Sequence, residues 1–438
     1  MYPKQSLEEL IDASSLTRLL YRVVLLCAFV AMIDGFDTQC IALVAPEIAA
    51  NWHVPATKFG LIFGAGLLGG LFGALGFGAI ADRRGRKPAL LGAVCLLAVA
   101  TLVTPLCQSL PELAAARLIT GLGLGGALPA IVSLTSEYAP MRLRATLVTV
   151  MFCGFPLGAV LGGLVSSRMI PIYGWKSIFL LGSITPLVLI PFLALYIPES
   201  ARFLAQRSPE RLLRLFDELG WAGRWNGEVA LSDNKSPAAV RGLFVSGMAR
   251  TTLLLWATLF CSLLLAYFLV NWMPMLARTS GIGIKGAVLG TASLNMGGIL
   301  GCLVIGWMVD RSRSTVVVGV AFLLGGVAVA CLGLIADSAA RLVVIAFFAG
   351  AFTLGPQMCA VALCPSFYRT EIRATGVAWS MAAGRCGAIC GPVIGGGLLA
   401  MGFSAPVLFL IAGGVSVAAA CVIVGLRLVP KPSIALPQ

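Results

Sequence analysis

Asp34 and Asp37 stand three residues apart in the run Tyr21-Arg22-Val23-Val24-Leu25-Leu26-Cys27-Ala28-Phe29-Val30-Ala31-Met32-Ile33-Asp34-Gly35-Phe36-Asp37-Thr38, which is otherwise apolar beyond Arg22. A helix entering a bilayer near Leu19 carries Asp34 about 22 Å inward at about 1.5 Å per residue, near or just past the middle of a hydrocarbon core about 30 Å thick. The i, i+3 spacing puts both carboxyls on one helix face. Keeping an aspartate ionised at that depth costs about 2.5–3.5 kcal/mol, and protonation removes most of that cost, so the pair has the chemistry of a proton carrier. The alternative is a structural ion pair with an arginine on a neighbouring helix.

The elements that position these carboxylates follow from composition. The chain has 438 residues, 59% hydrophobic and 11% charged, with a mean hydropathy of +0.97. No water-soluble fold hides that much apolar surface. Apolar stretches of membrane-spanning length occur near 19–46, 58–81, 88–107, 112–137, 143–170, 175–197, 249–276, 285–310, 315–336, 339–365, 371–400 and 404–428, which predicts an all-α polytopic membrane protein of twelve transmembrane helices. An amphipathic helix is expected on the membrane surface at 209–219, where Leu212, Leu213, Phe216 and Leu219 share a face. Residues 1–18 are polar and acidic and do not read as a cleavable signal.

The net charge of +13 does not point to nucleic acid. Of 31 Lys and Arg, 23 fall at the termini and in the even-numbered connections, six in the odd-numbered connections, and two, Arg117 and Arg385, inside spans. That bias places both termini in the cytoplasm. The 13 cysteines lie mostly singly within spans, and Cys386 and Cys390, one turn apart with no histidine near, read as packing residues. His53 is the only histidine, so no histidine cluster for catalysis or metal can form, and no cofactor is expected.

The chain reads as a duplicated six-helix unit. Gly78-Ala79-Ile80-Ala81-Asp82-Arg83 recurs as Gly306-Trp307-Met308-Val309-Asp310-Arg311 at an offset of 228 residues, and Arg144-Ala145-Thr146 recurs as Arg373-Ala374-Thr375 at 229. The same 229 maps Gly158 onto Gly387 and Gly162 onto Gly391. The expected organisation is a cytoplasmic N-terminus at 1–18, six-helix bundles at 19–197 and 249–428, a cytoplasmic linker at 198–248 and a cytoplasmic C-terminus at 429–438. Parallel six-helix halves put a substrate site between them near the midplane, with access switched by rocking. Gly runs at 64–78, 121–126 and 154–163 carry the small-x-x-x-small spacing of close, sliding helices.

The segment Gly78-Ala79-Ile80-Ala81-Asp82-Arg83-Arg84-Gly85-Arg86-Lys87 resembles the loop signature of the major facilitator superfamily, with a reduced copy at 306–311. Arg117-Leu118-Ile119-Thr120-Gly121-Leu122-Gly123 is similar to its fourth-helix motif, and Pro198-Glu199-Ser200-Ala201-Arg202-Phe203 closes the sixth span as in its members. A narrower resemblance is to the aromatic acid:proton symporter family. It rests on Asp34-Gly35-Phe36-Asp37, Ser136-Glu137-Tyr138, Met151-Phe152-Cys153-Gly154-Phe155, Asn271-Trp272-Met273-Pro274, Arg373-Ala374-Thr375-Gly376-Val377 and Gly384-Arg385-Cys386-Gly387-Ala388-Ile389. The resemblance implies the major facilitator fold, two pseudo-symmetric bundles, and import of a small aromatic carboxylate with protons, with Asp34, Asp37 and Arg117 in the coupling.

An aromatic carboxylate needs an apolar slot for its ring and a cationic end for its anion. Arg385 is the candidate clamp: it lies about 18 Å into the eleventh span, and its repeat-mate is Pro156. The alternative pairs it with Asp34 or Asp37 as a structural bridge. Arg117, near the outer end of its span, reads as a coupling or gating residue or as a snorkelling arginine. Ring-stacking candidates are Phe36, Phe152, Phe155, Tyr267, Trp272 and Trp379, and polar rim candidates are Asn271, Asn295 and Gln357. Each of these aromatics has helix packing or interface anchoring as its alternative, Trp272 in particular the outer aromatic belt. Asp82, Arg83, Arg86, Glu137, Arg144, Glu199, Arg202 and Asp310 are the expected inner gate. The expected protein is a monomer in a bacterial inner membrane, with protons, a small aromatic acid and lipid as its partners and no nucleic acid. Other readings are a major facilitator carrier of another organic acid, sugar or drug, a membrane-embedded enzyme, and a transporter-like sensor.

Overall fold

The computed structural model describes residues 11, 18–218, 240–244, 248–312, 314–334, 338–368 and 372–428. Among them the regular structure is entirely helical. Twelve helices have the length and apolarity to cross a membrane: Arg18–Trp52, Ala56–Arg84, Arg86–Leu106, Leu110–Tyr138, Thr146–Tyr173, Lys176–Tyr196, Met248–Thr279, Ile284–Val309, Thr315–Leu334, Ala339–Phe367, Thr375–Ala400 and Ala405–Gly425, numbered here as spans 1 to 12. The side where span 1 begins is called the near side and the opposite one the far side.

Each expected span is present, and the ends differ where a proline suggested a stop. Span 1 runs through Pro46 as far as Trp52, since one missing N–H removes a single hydrogen bond from a helix packed on its neighbours. Span 5 is interrupted at Cys153, between helices Arg144–Phe152 and Gly154–Tyr173. Pro156 lies just beyond the interruption and cannot donate to the Phe152 carbonyl, which accounts for the break.

Glycine sets the helix crossings, and sets them twice. A Cβ on Gly158 of span 5 would strike the Met32 carbonyl of span 1, and one on Gly387 of span 11 would strike the Phe260 carbonyl of span 7. Gly69 and Gly73 of span 2 meet the Leu118 and Leu122 carbonyls of span 4, as Gly297 and Gly301 of span 8 meet those of Phe347 and Ala351 of span 10. Gly121 meets the Gly66 carbonyl, and Gly350 meets that of Leu294. Every pair maps onto its mate by 228 or 229 residues, the offsets read from the motifs. The two halves are pseudo-symmetric, and the small residues are retained at the places where two backbones touch.

The chain divides into two compact units that cut across three spans. Unit 1 comprises Met1–Thr38, Ala65–Ala159 and Lys176–Asp233, and unit 2 comprises Gln39–Gly64, Val160–Trp175 and Asn234–Gln438. Spans 1, 2 and 5 thus leave their far-side ends in unit 2. The amphipathic helix Pro209–Glu218 departs from expectation. Leu212 and Phe216 are buried in the unit 1 core with Leu20, Val23, Leu134 and Leu204, so the apolar face covers protein and only Leu213 of that face is exposed. Leu219 lies outside the described residues. A stripe of two or three large side chains suits a groove between helices as well as a lipid surface, and the sequence pattern does not distinguish them.

Candidate functional site

In unit 1, Asp37 is held by Arg117. The Arg117 Nη2 lies 2.8 Å from Asp37 Oδ2 and Nη1 donates to Oδ1 at 3.4 Å, while Thr101 Oγ1 donates to Oδ1 at 3.1 Å. Asp37 is 0% exposed and Arg117 2%. Arg117 therefore does not snorkel, and the bridge suggested between Asp37 and Arg385 is replaced by one to span 4. Asp34, one turn earlier and also buried, accepts from Thr38 Oγ1 at 3.3 Å. Gly35 between them lies on the Phe155 carbonyl of span 5, where no side chain fits.

One observation separates this pair from a structural necessity. Removing one member of a buried ion pair is strongly destabilising, yet replacing both with apolar residues is often neutral or better, so such a pair is weak evidence of a stability role. The duplication supplies that replacement: the mates of Asp37 and Arg117 are Leu265 and Ala346, within a half that keeps the same crossings. The second half keeps these crossings without such a pair.

In unit 2, Arg385 is half-buried on span 11. Among the described residues it makes no ion pair and no hydrogen bond. A guanidinium at that depth with no protein anion opposite has the form of a carboxylate receptor. Asn295, 5% exposed, donates to the Thr291 carbonyl at 2.9 Å and accepts from Gln39 Nε2 at 3.4 Å. Asn271 is turned into its own helix, donating to the Tyr267 carbonyl at 2.7 Å. Gln357, Tyr267 and Phe155 are half-buried, and Phe152 is exposed.

Three of the aromatic candidates have defined packing partners. Phe36 is seated on Gly182 of span 6, where a Cβ would lie 3.2 Å from its ring, so it fills a notch inside unit 1. Trp272 is fully buried, donates from Nε1 to the Pro392 carbonyl at 2.9 Å and meets Phe63 edge-on at 5.5 Å, which removes it from any outer belt. Trp379 lies about 9 Å into its helix from the near-side end and stacks on Trp256 at 5.9 Å, with Phe244 edge-on to that ring. It is 44% exposed at the edge of this aromatic cluster.

The near-side charges pair with one another inside unit 1. Glu199 Oε1 accepts from the backbone N–H of Arg86 at 2.7 Å, Lys87 at 3.1 Å and Ser200 at 2.8 Å, capping the positive end of span 3. Gly85 has φ +108°, and a Cβ there would fall on the Glu199 carboxylate, so both backbone and space require glycine in the loop motif. Arg86 reaches Asp82 at 3.3 Å and Glu137 at 3.6 Å, and Glu137 also accepts from Ser133 and Ser200. This cluster braces spans 2, 3, 4 and 6 together. Asp82 keeps a free face, with its side chain 75% exposed. Arg83 is exposed, Arg144 and Arg202 are half-buried, and the Asp310 side chain lies outside the described residues.

Two features escaped the sequence reading. Glu47, beside Pro46 on span 1, pairs with Arg278 of span 7 at 3.2 Å on the far side. Gln39 is 1% exposed, and its Oε1 accepts no hydrogen bond. Both lie beyond Thr38, where the run read around the two aspartates ends. A glutamate and a glutamine in an apolar segment were the available signals.

The profile of the Major Facilitator Superfamily matches residues 27–340 and again 303–437. The chain is 37% identical to the gallate transporter of Pseudomonas putida over 98% of this chain and 97% of that one. It is 38% identical to the 4-hydroxybenzoate transporter PcaK of Pseudomonas aeruginosa over 90% and 89%. The D-xylose-proton symporter superposes with a TM-score of 0.71 at 18% identity, over 94% of this chain and 98% of that one, which supports the fold alone. The duplicated halves, the buried charges of span 1 and these likenesses meet in one conclusion: the chain is a polytopic membrane protein of the major facilitator superfamily and belongs to its aromatic acid:proton symporter family.

Proposed function

We propose that the protein imports a small aromatic carboxylate together with protons across a bacterial inner membrane, by alternating access and as a monomer. The observation that carries the coupling is the buried Asp37–Arg117 pair, which only one of the two matching halves possesses. A proton arriving at Asp37 removes the charge that holds Arg117, so the pair has two arrangements that protonation exchanges. Asp34, one turn away on the same face, is a second proton acceptor. Arg385 takes the substrate carboxylate through two parallel hydrogen bonds. The transport of gallate and 4-hydroxybenzoate by the relatives supports an aromatic acid as cargo.

The bias of basic residues supports a cytoplasmic near side, with both termini inside. One proton carried with one monoanion is electroneutral and is driven by the pH gradient. Each further proton adds about 2.3 kcal/mol per 100 mV of membrane potential. Uptake of labelled 4-hydroxybenzoate into proteoliposomes tests the reading. Accumulation driven by an acidic exterior and abolished by a protonophore supports it, and accumulation indifferent to the protonophore contradicts it.

Two expected outcomes concern the gates. The near-side motif is nearly complete around Asp82 and degraded around Asp310, where Arg313 and Ser314 stand in place of Gly85 and Arg86. Asp82→Asn is expected to slow exchange between inward and outward forms far more than Asp310→Asn, with substrate binding retained in both. Equal transport defects, measured beside binding, contradict the asymmetry. On the far side, Glu47 and Arg278 come from different repeats and are partly exposed, at 26% and 36% of their side chains. A pair so exposed is worth about 0.2–1 kcal/mol, so Glu47→Gln is expected to change the uptake rate by no more than about fivefold. Glu47→Arg is expected to impair uptake further and Arg278→Glu to restore it. Failure of the charge swap to restore uptake removes the pair from the gate.

A further inference from the structure

We infer that Gln39 and Asn295 form a subsite that reads a hydroxyl on the substrate ring, so that the carrier selects hydroxylated aromatic acids over unsubstituted benzoate; this rests on the aromatic-acid reading above. The two side chains come from spans 1 and 8. Asn295 lies about 17 Å from the far-side end of its helix and Gln39 about 20 Å from the far-side end of its own. Arg385 is about 18 Å from the near-side end of span 11. All three therefore fall near the middle of the membrane, the depth at which carriers with repeated halves hold their substrates.

The hydrogen-bond inventory fixes the orientation of both amides. The Thr291 carbonyl only accepts, so the Asn295 nitrogen faces it and Oδ1 faces Gln39. Gln39 must then present Nε2 to that oxygen, as it does at 3.4 Å. This leaves the Gln39 Oε1 buried with nothing donating to it. Turning the Gln39 amide over places oxygen against oxygen and is no remedy. Buried acceptors are nearly always satisfied, so an orphan beside amide N–H groups marks a place where a donor arrives.

A ring hydroxyl has the matching chemistry. Its O–H donates to Gln39 Oε1, and its oxygen accepts from a second amide hydrogen of Gln39 or Asn295. The 3.4 Å bond between the amides is at the long limit of hydrogen bonding and is readily exchanged for bonds to a phenol. Sites built around a substrate hydroxyl reject the analogue that lacks it, because their polar groups are left unpaired.

The test is a competition series in proteoliposomes, in which benzoate, 4-hydroxybenzoate and gallate inhibit uptake of labelled 4-hydroxybenzoate. Wild-type protein is expected to bind the best hydroxylated acid at least about tenfold more tightly than benzoate. In Gln39→Met, and separately in Asn295→Leu, that ratio is expected to fall to within about twofold of unity, whatever the absolute rate. A wild-type ratio near one overturns the inference without any variant, and an unchanged ratio in a variant that transports shows that the amides only pack. If no aromatic acid enters wild-type liposomes, the transport reading itself has failed. Retained aromatic uptake with no hydroxyl preference rejects the subsite alone.

Discussion

Asp37→Asn is expected to abolish proton-driven accumulation of the substrate while exchange of labelled for unlabelled substrate continues. The amide mimics the protonated carboxyl, so the carrier can cycle with cargo yet cannot release a proton on the inner side. The substitution also leaves Arg117 buried without its anion, and such an uncompensated charge destabilises by about 3–5 kcal/mol. A lower melting temperature and yield are therefore expected beside the transport defect. The double variant Asp37→Asn with Arg117→Gln separates the two effects, since removing both charges restores stability without restoring a proton carrier. Thermal unfolding in detergent and paired accumulation and exchange assays measure these quantities. Full accumulation by Asp37→Asn would move the coupling to Asp34, and full accumulation by the Asp34→Asn, Asp37→Asn double variant would remove the span 1 carboxylates from it.

Arg385→Lys is expected to weaken substrate binding about 10- to 150-fold although the charge is kept. Lysine is a point donor and cannot make the two parallel bonds of a guanidinium, and one lost hydrogen bond to a charged group is worth about 1.5–3 kcal/mol. Among the described residues Arg385 holds no anion of the protein, so little structure depends on it and the melting temperature is expected to stay near that of the wild type. Binding measured by substrate-induced thermal shift, at matched expression, distinguishes the outcomes. Unchanged affinity in the Lys variant would take Arg385 out of the site.

The sequence was most legible where a physical constraint is one-dimensional. Bilayer thickness sets span length, so all twelve spans could be placed from apolar runs. The duplication was legible because glycine is required wherever two backbones touch, and Gly158 with Gly387 keeps its place in both halves. Partner choice was not legible. Asp37 pairs with Arg117, eighty positions away, because of how spans 1 and 4 are rotated about their axes, and no spacing rule within one helix encodes that rotation. The same limit hid the packing partners of Phe36 and Trp272, whose rings are turned onto Gly182 and Pro392. Gln39 stands two residues after Asp37 and was overshadowed by it. A buried orphan acceptor becomes visible only when its neighbours are known.

The central claim, that a proton at span 1 drives an aromatic acid across the membrane, is tested most directly by measuring proton and substrate movement together. In proteoliposomes carrying an internal pH indicator, addition of 4-hydroxybenzoate outside, with no imposed gradient, is expected to acidify the lumen in wild-type protein and not in Asp37→Asn. Uptake of the acid by wild-type protein with no accompanying proton entry, or equal acidification in the Asn variant, would contradict the account.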